Sequence, residues 1–371
     1  MVAVDVLAFV VGVLIVALTF TSAVRTVVVA RSETLLLPRV VLTSVRKITD
    51  PVANRTNTWE QRDRVLGYAA PFALVLLALT WIALVTIGFT PMFWAIEDRS
   101  WSEAWRISGS SVTTLGIAVT GDDFVGTTLE VVEAAIGLVL IALLISFLPT
   151  MYSAFSEREQ TVSYMAVRAG TPPSGVDLLE RFHRIGGTDD LREIWTRFEA
   201  WFDRLSETHT SFASVAYFRS PNPSRSWITT AGAVLDGAAL HLAITPDLDP
   251  RAALCLRSGW TALRDIASAH HLELPDEVSP EDPISVSREE FDQACDRLAE
   301  AGLAVTEDRD RAWTDFAGWR VNYDAALVGL CAVVSAPHAP WSSDRSLRLQ
   351  QTTMRSIMRS RRGRIRRLTR R

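Results

Sequence analysis

The residues whose types and spacing suggest chemistry form a short run of small and hydroxylated side chains between two long apolar stretches. The run begins like a helix, with Ser100 as its cap, and ends in Thr113-Thr114-Leu115-Gly116. A plain loop has no need of such a sequence. Backbone at membrane depth needs small and hydroxylated residues, because its polar groups must be buried in protein or line a water-filled cavity. We therefore predict a re-entrant segment here.

Three charge-free stretches must position this segment: Val6 to Val24, Gly67 to Ile96, and Ala134 to Ser156. Each reaches the roughly 20 residues that cross a hydrocarbon core about 30 Å thick. We therefore predict three transmembrane helices. The first stretch could instead be a signal peptide, but no basic residue precedes it and 21–25 is a poor cleavage site. We interpret it as a retained helix.

The order of these segments resembles the pore-loop potassium channel family. The resemblance covers residues 67–156, with an outer helix at 67–92, a pore helix at about 100–113 and an inner helix at about 130–154. In that family the filter reads Thr-Thr-Val-Gly-Tyr-Gly-Asp, and its carbonyl and threonine oxygens replace the hydration shell of the ion. The resemblance implies the same role for six residues of this chain: Thr113, Thr114, Leu115, Gly116, Ile117 and Ala118.

The loop matches the family's filter at some positions and differs from it at others. Thr114 matches the innermost site and Gly116 the first glycine, whereas Ile117 replaces the aromatic residue that braces the family's filter. If Ala118 takes the place of the second glycine, left-handed backbone there costs about 1–2 kcal/mol. Alternatively, residues 121–122 are the expected Gly-Asp, preceded by an insertion of residues 117–120.

Four acidic residues lie around the loop. Asp122 and Asp123 are expected at the outer mouth, where acidic rings raise the local cation concentration, or they simply form a solvated turn. Glu130 and Glu133 begin the inner helix, and one of them is expected to hydrogen-bond behind the filter.

Two residues of the inner helix suit a gating bend. Gly137 lies where the family often has a flexible glycine, and Pro149 lies near the cytoplasmic end. The alternative is that both residue types are simply common in membrane helices.

Flanking charges predict the topology. Residues 25–64 carry eight basic and four acidic groups, whereas residues 97–133 carry two basic and seven acidic groups. The positive-inside rule then places 25–64 in the cytoplasm and 97–133 outside. The N-terminus is therefore expected outside, and everything after Ser156 in the cytoplasm. Residues 35–48 form either a helix in the membrane interface or a solvated connector.

The region after Ser156 has the pattern of a soluble helical domain. Helices are predicted at Val176–Ile185 and after the capping box at Ser287, while Ala231–Ile244 is too short and too polar to span and is predicted to be buried. No nucleotide-binding, nucleophile or metal-ligand motif occurs, so no enzyme, catalytic residue, metal or cofactor is expected. The cysteines are scattered and odd in number, which fits a reducing compartment.

The segment Arg355–Arg371 contains nine arginines and no acid. At a cytoplasmic membrane face such a cluster meets anionic lipid first, with about 1 kcal/mol per basic group. We predict lipid contact, with a simple solvated tail as the alternative, and we do not expect nucleic acid as a partner.

The sequence thus predicts an all-α integral membrane protein with three transmembrane helices, a re-entrant pore helix and filter loop, and an α-helical cytoplasmic domain. The expected parts are an accessory helix (1–30), a link (31–66), a channel domain (67–156), a helical domain (157–350) and a tail (351–371). The resemblance implies a homotetrameric pore of the plasma membrane for monovalent cations, K⁺ among them. The alternative is a non-conducting scaffold or sensor that retains the fold.

Overall fold

The computed structural model describes residues 2–29, 36–96, 100–121, 123–187, 190–246 and 248–346. These residues contain helices and no strand, so the prediction of an all-helical chain is confirmed for them. The chain divides into two compact units, residues 1–153 and 154–371. Asp122 and Arg355–Arg371, singled out from the sequence, lie outside the described residues.

In its described residues the first unit contains five helices and most of a sixth: α1 (Val2–Val27), α2 (Leu36–Ala53), α3 (Trp59–Gly67), α4 (Ala69–Ile96), α5 (Trp101–Val112) and α6 (Phe124–Ala169). The second unit contains the end of α6 and the helices α7 (Gly175–Arg184), α8 (Leu191–Ser211), α9 (Trp227–Ile244), α10 (Pro250–Ala269), α11 (Arg288–Glu300) and α12 (Arg309–Val333).

Helices α1 and α4 cross in close contact through two glycines. A Cβ at Gly12 would overlap the carbonyl oxygen of Gly88, and a Cβ at Gly88 would lie 2.7 Å from a methyl group of Val16. Small residues allow helix backbones to approach this closely, which is a common way for helices to associate within lipid. The first helix therefore packs directly against α4.

Helix α2 has the amphipathic character expected of the link. Val41 and Val45 are buried on the side that packs against α4, whereas Val40 and Ile48 are exposed. A helix is therefore present in this part of the link, and its place in a membrane interface stays a prediction.

Four helices of the described residues are long and apolar enough to cross a membrane: Ala3–Val27, Trp59–Ile96, Phe124–Ala169 and Trp227–Ile244. The fourth is α9, which the sequence predicts to be a buried helix. Every residue of α9 except His241 is buried within the second unit. We therefore assign α9 to the core of that unit.

Helix α6 is longer than the inner helix predicted at about 130–154. It begins at Phe124, where the carboxylate of Asp123 accepts the amide N–H of Gly126 at 2.6 Å. It continues to Ala169, because no helix-breaking residue follows Pro149 until Gly170, which has a φ of 86°. A glycine with positive φ is a frequent end of a helix.

The second unit is built around α9 and contains a buried ionic cluster. Arg320 on α12 is fully buried and pairs with Asp236 of α9 and, at 2.7 Å, with Asp324. The hydroxyl of Tyr323 also donates to Asp236 at 2.8 Å. The carboxylates neutralise the guanidinium, which a buried charge requires.

A second buried contact ties the end of α6 to the rest of this unit. Arg158 donates to the carbonyl oxygens of Val215 and Phe218 at 2.9 and 2.7 Å and lies 3.3 Å from Nε2 of His209. Burial and the adjacent Arg158 hold the pKa of His209 well below its usual value of 6.5. His209 is therefore neutral, with Nε2 accepting from Arg158.

Candidate functional site

Helix α5 positions the loop that the sequence singles out. It begins with a capping box, in which Ser100 Oγ accepts the amide of Glu103 at 3.3 Å and the Glu103 carboxylate accepts the amide of Ser100 at 3.0 Å. Its buried face includes Ala104, Ile107 and Val112, and it packs against α4. The expected helix at about 100–113 is therefore present, and its end presents the loop.

The loop has left-handed backbone at Thr114 and Gly116, with φ values of 57° and 66°. Ala118 is not in this conformation, so the strain expected from the first of the two alignments is absent. The strained residue is Thr114, because the chain already reverses there: its amide donates to the Ser111 carbonyl oxygen at 3.0 Å. For a non-glycine residue this conformation costs about 1–2 kcal/mol.

Ser110 holds the loop from within the helix. Its hydroxyl oxygen accepts the amide N–H of Ile117 at 2.9 Å and of Ala118 at 3.1 Å, and its carbonyl oxygen accepts the amide of Leu115 at 2.9 Å. Ser110 is 2% exposed. One buried serine thus accepts the amides of three loop residues, and each of the three differs from the residue at that place in the family's filter.

The side chains of the loop divide between two faces. Thr113, Thr114, Leu115, Ile117 and Val119 are exposed, whereas Thr120 is buried. The hydroxyl of Thr113 donates to the Gly109 carbonyl oxygen at 2.5 Å. Its oxygen therefore keeps lone pairs that can accept from solvent or contact a cation.

Both glutamates at the start of α6 bond toward this region. A carboxylate oxygen of Glu130 accepts the amide of Thr120, at the far end of the loop. Glu133 lies 2.6 Å from the hydroxyl oxygen of Ser108 on α5. The sequence predicted such a bond for one of them without saying which. The structure gives a bond to each.

Gly137, expected as a gating hinge, lies against the end of α5. A Cβ at Gly137 would overlap the carbonyl oxygen of Val112 and lie 3.3 Å from its Cα. Glycine is thus required here by close backbone packing. Helix α6 runs through both Gly137 and Pro149 without a break, and gating at either residue stays a prediction.

Asp123 has a local partner, because its carboxylate caps α6 through Gly126. This bond accounts for the residue as a helix cap, and its expected place at an outer mouth stays a prediction. Within the described ranges no group of three or more His, Cys, Asp or Glu could hold a metal ion.

Comparisons of this chain with protein-family models, with curated proteins and with solved structures find no match.

Proposed function

We propose that this chain is a potassium-channel-like membrane pore for monovalent cations, with α4 as outer helix, α5 as re-entrant pore helix and α6 as inner helix. The observation that carries the proposal is the loop after α5. Its backbone is left-handed at Thr114 and Gly116, and Ser110 fixes its amides from within the helix. Irregular backbone that is braced in this way between long apolar helices meets the requirement for chain that enters a membrane.

The end of α5 favours a positive ligand. A helix C-terminus carries about half a negative elementary charge from its unpaired carbonyl groups. Thr113 follows this end, and both its hydroxyl and that of Thr114 belong to exposed residues. Oxygens of this kind can substitute for the water around K⁺ when several loops face each other. The loop therefore offers oxygen ligands beside a negative helix end.

Several copies are needed to complete such a site. One chain has one loop, and the apolar side chains of Leu115, Ile117 and Val119 are 63–72% exposed in it. Contiguous exposed apolar side chains usually mark a surface that another molecule covers. We propose a homotetramer in the plasma membrane, since the pore-loop potassium channels that this chain resembles surround their ion path with four loops. The N-terminus would lie outside and the second unit in the cytoplasm, with Arg355–Arg371 on anionic lipid.

The second candidate function is a non-conducting membrane scaffold or sensor. It is favoured by Ile117, whose 72% exposed aliphatic side chain stands where the resembling family has a bracing ring. In this alternative the loop has only a structural role, and its exact backbone conformation has no effect on ion permeability.

A pair of glycine variants separates the two candidates in proteoliposomes loaded with K⁺. At both Gly116 and Gly109 an added Cβ meets no other atom within 4 Å. Of these two glycines, only Gly116 has a positive φ. Gly116→Ala should therefore abolish K⁺ efflux or its selectivity, because a second left-handed non-glycine residue beside Thr114 costs about 1–2 kcal/mol more and shifts the loop toward other conformations. Gly109→Ala should conduct like the wild type. Equal efflux from both variants, or none from the wild type, would contradict the proposal.

A further inference from the structure

One hydroxyl group in the first unit lies between two acceptors. The Ser108 Oγ atom is 2.6 Å from a carboxyl oxygen of Glu133 and 3.1 Å from the carbonyl oxygen of Thr86. A serine hydroxyl has one hydrogen to donate, and a carbonyl oxygen can only accept. If Glu133 were a carboxylate, both neighbours would compete for the same hydrogen. If Glu133 carries a proton, it donates to Ser108, and Ser108 donates to Thr86.

The surroundings of Glu133 agree with the second arrangement. Its side chain is fully buried, and its other carboxyl oxygen has no hydrogen-bond partner among the described residues. Burial of an ionised carboxylate without a counter-ion costs several kcal/mol. A protonated carboxyl removes that cost.

The charged groups on the neighbouring helices do not supply a counter-ion. Helix α4 contains no titratable residue. Helix α5 contains Glu103, which bonds to Ser100 in the capping box, and Arg106, which is exposed. On α6 itself, Glu130 is acidic and accepts from the amide of Thr120. An ionised Glu133 would therefore face acceptors and another carboxylate.

We infer that Glu133 carries a proton at neutral pH and is a positioning residue for the pore helix. The proton completes a chain of hydrogen bonds from α6 through Ser108 of α5 to Thr86 of α4. Loss of the proton leaves a buried charge and removes the bond to Thr86, so α5 loses its fixed position. Alkaline pH then closes the pore. This consequence rests on the proposed function, whereas the inference that Glu133 carries a proton does not.

Infrared difference spectroscopy tests the proton without any need for conduction. The full chain in lipid at neutral pH is compared with Glu133→Gln. The wild type should show the carbonyl stretch of a protonated carboxyl, shifted in D₂O and missing from Glu133→Gln. Absence of that band from the folded wild type would overturn the inference. If the band is present in a protein that passes no ions, the protonation of Glu133 is supported and the pore proposal is contradicted.

The pH profile of cation flux tests the positioning role. Above the pH at which half of the Glu133 side chains have lost their proton, the protonated fraction falls roughly tenfold per pH unit. Wild-type cation flux should fall with that fraction. Glu133→Gln keeps a donor toward Ser108 and should conduct without this alkaline loss, whereas Glu133→Ala should lose flux at every pH. Identical alkaline profiles for the wild type and Glu133→Gln would contradict a role for the proton.

Discussion

Gly137 of α6 meets the carbonyl group of Val112 at the end of α5 so closely that no Cβ atom fits between them. The contact lies at the point where α5 ends and the loop with the candidate filter residues begins. It joins the first part of α6 to the backbone that presents Thr113 and Thr114. A gating hinge and a close packing contact are two different roles for Gly137, and each role predicts a different effect of substituting it.

Gly137→Ala should displace the end of α5 and reduce cation flux by at least about tenfold, because an overpacked contact costs about 1–3 kcal/mol and the displaced backbone carries the loop. Proteoliposome flux and the melting temperature in detergent are the measurements. Gly109→Ala is the matched control, since its Cβ would meet no atom within 4 Å. Normal flux with altered opening kinetics in Gly137→Ala would favour the hinge.

Ser110→Ala should cost selectivity or conduction while the fold persists. The substitution leaves the amides of Ile117 and Ala118 without their hydroxyl acceptor, at a cost of about 0.5–1.5 kcal/mol for each hydrogen bond lost. Ser111→Ala is the control on the same helix, because the Ser111 hydroxyl donates only to the Ile107 carbonyl oxygen of its own helix. The K⁺ to Na⁺ flux ratio separates them. Equal ratios for both variants would show that the bonds of Ser110 to the loop do not affect ion selectivity.

Arg320→Ala should destabilise the second unit by about 3–5 kcal/mol, because it leaves the buried carboxylate of Asp236 without its counter-ion. Denaturant unfolding of the full chain in detergent, followed by circular dichroism, measures the loss. Arg311→Ala removes an exposed ion pair with Asp315 and serves as the control. We expect its effect to stay below about 1 kcal/mol. Similar losses for the two variants would contradict the role of the buried cluster.

Acid should destabilise the second unit through His209. Its pKa is held low by burial and by Arg158, so the folded state excludes a proton that the unfolded chain binds. The free energy of unfolding is therefore intact above about pH 6.5 and falls by up to about 1.4 kcal/mol per pH unit below it. His209→Gln should flatten this dependence relative to the wild type.

The exposed His338 provides the control for this titration. His338→Gln should retain the full acid sensitivity of the wild type in the same unfolding experiment. A His209→Gln protein as acid-sensitive as the wild type would show that another group is responsible.

Helical segments of this chain follow from local pattern. Charge-free stretches predicted α1, α4 and α6, the capping box at Ser287 predicted α11, and the Ser100 cap predicted α5 within a residue or two. The end of α6 was missed because the predicted limit was the end of the apolar run. A helix can continue through polar residues until a breaker such as Gly170 stops it.

The contacts that shape the candidate site did not follow from the sequence. Ser108, Ser110 and Ser111 look alike as a run of small residues, and only their directions on α5 give them different partners. The sequence left two alignments of the loop open, and the strain at Ala118 that one of them implied is absent because the chain reverses at Thr114 instead. Glu130 and Glu133 were recognised as candidates, but their bonds span ten and twenty-five residues.

The most direct test of the proposed pore is the reversal potential of single-channel currents from the purified full chain in a planar bilayer with opposing K⁺ and Na⁺ gradients and unequal chloride on the two sides. We expect discrete currents that reverse close to the K⁺ equilibrium potential, and a shift toward zero in Ser110→Ala. Folded, membrane-inserted oligomers that pass no current, or currents that do not distinguish cations from chloride, would contradict the account.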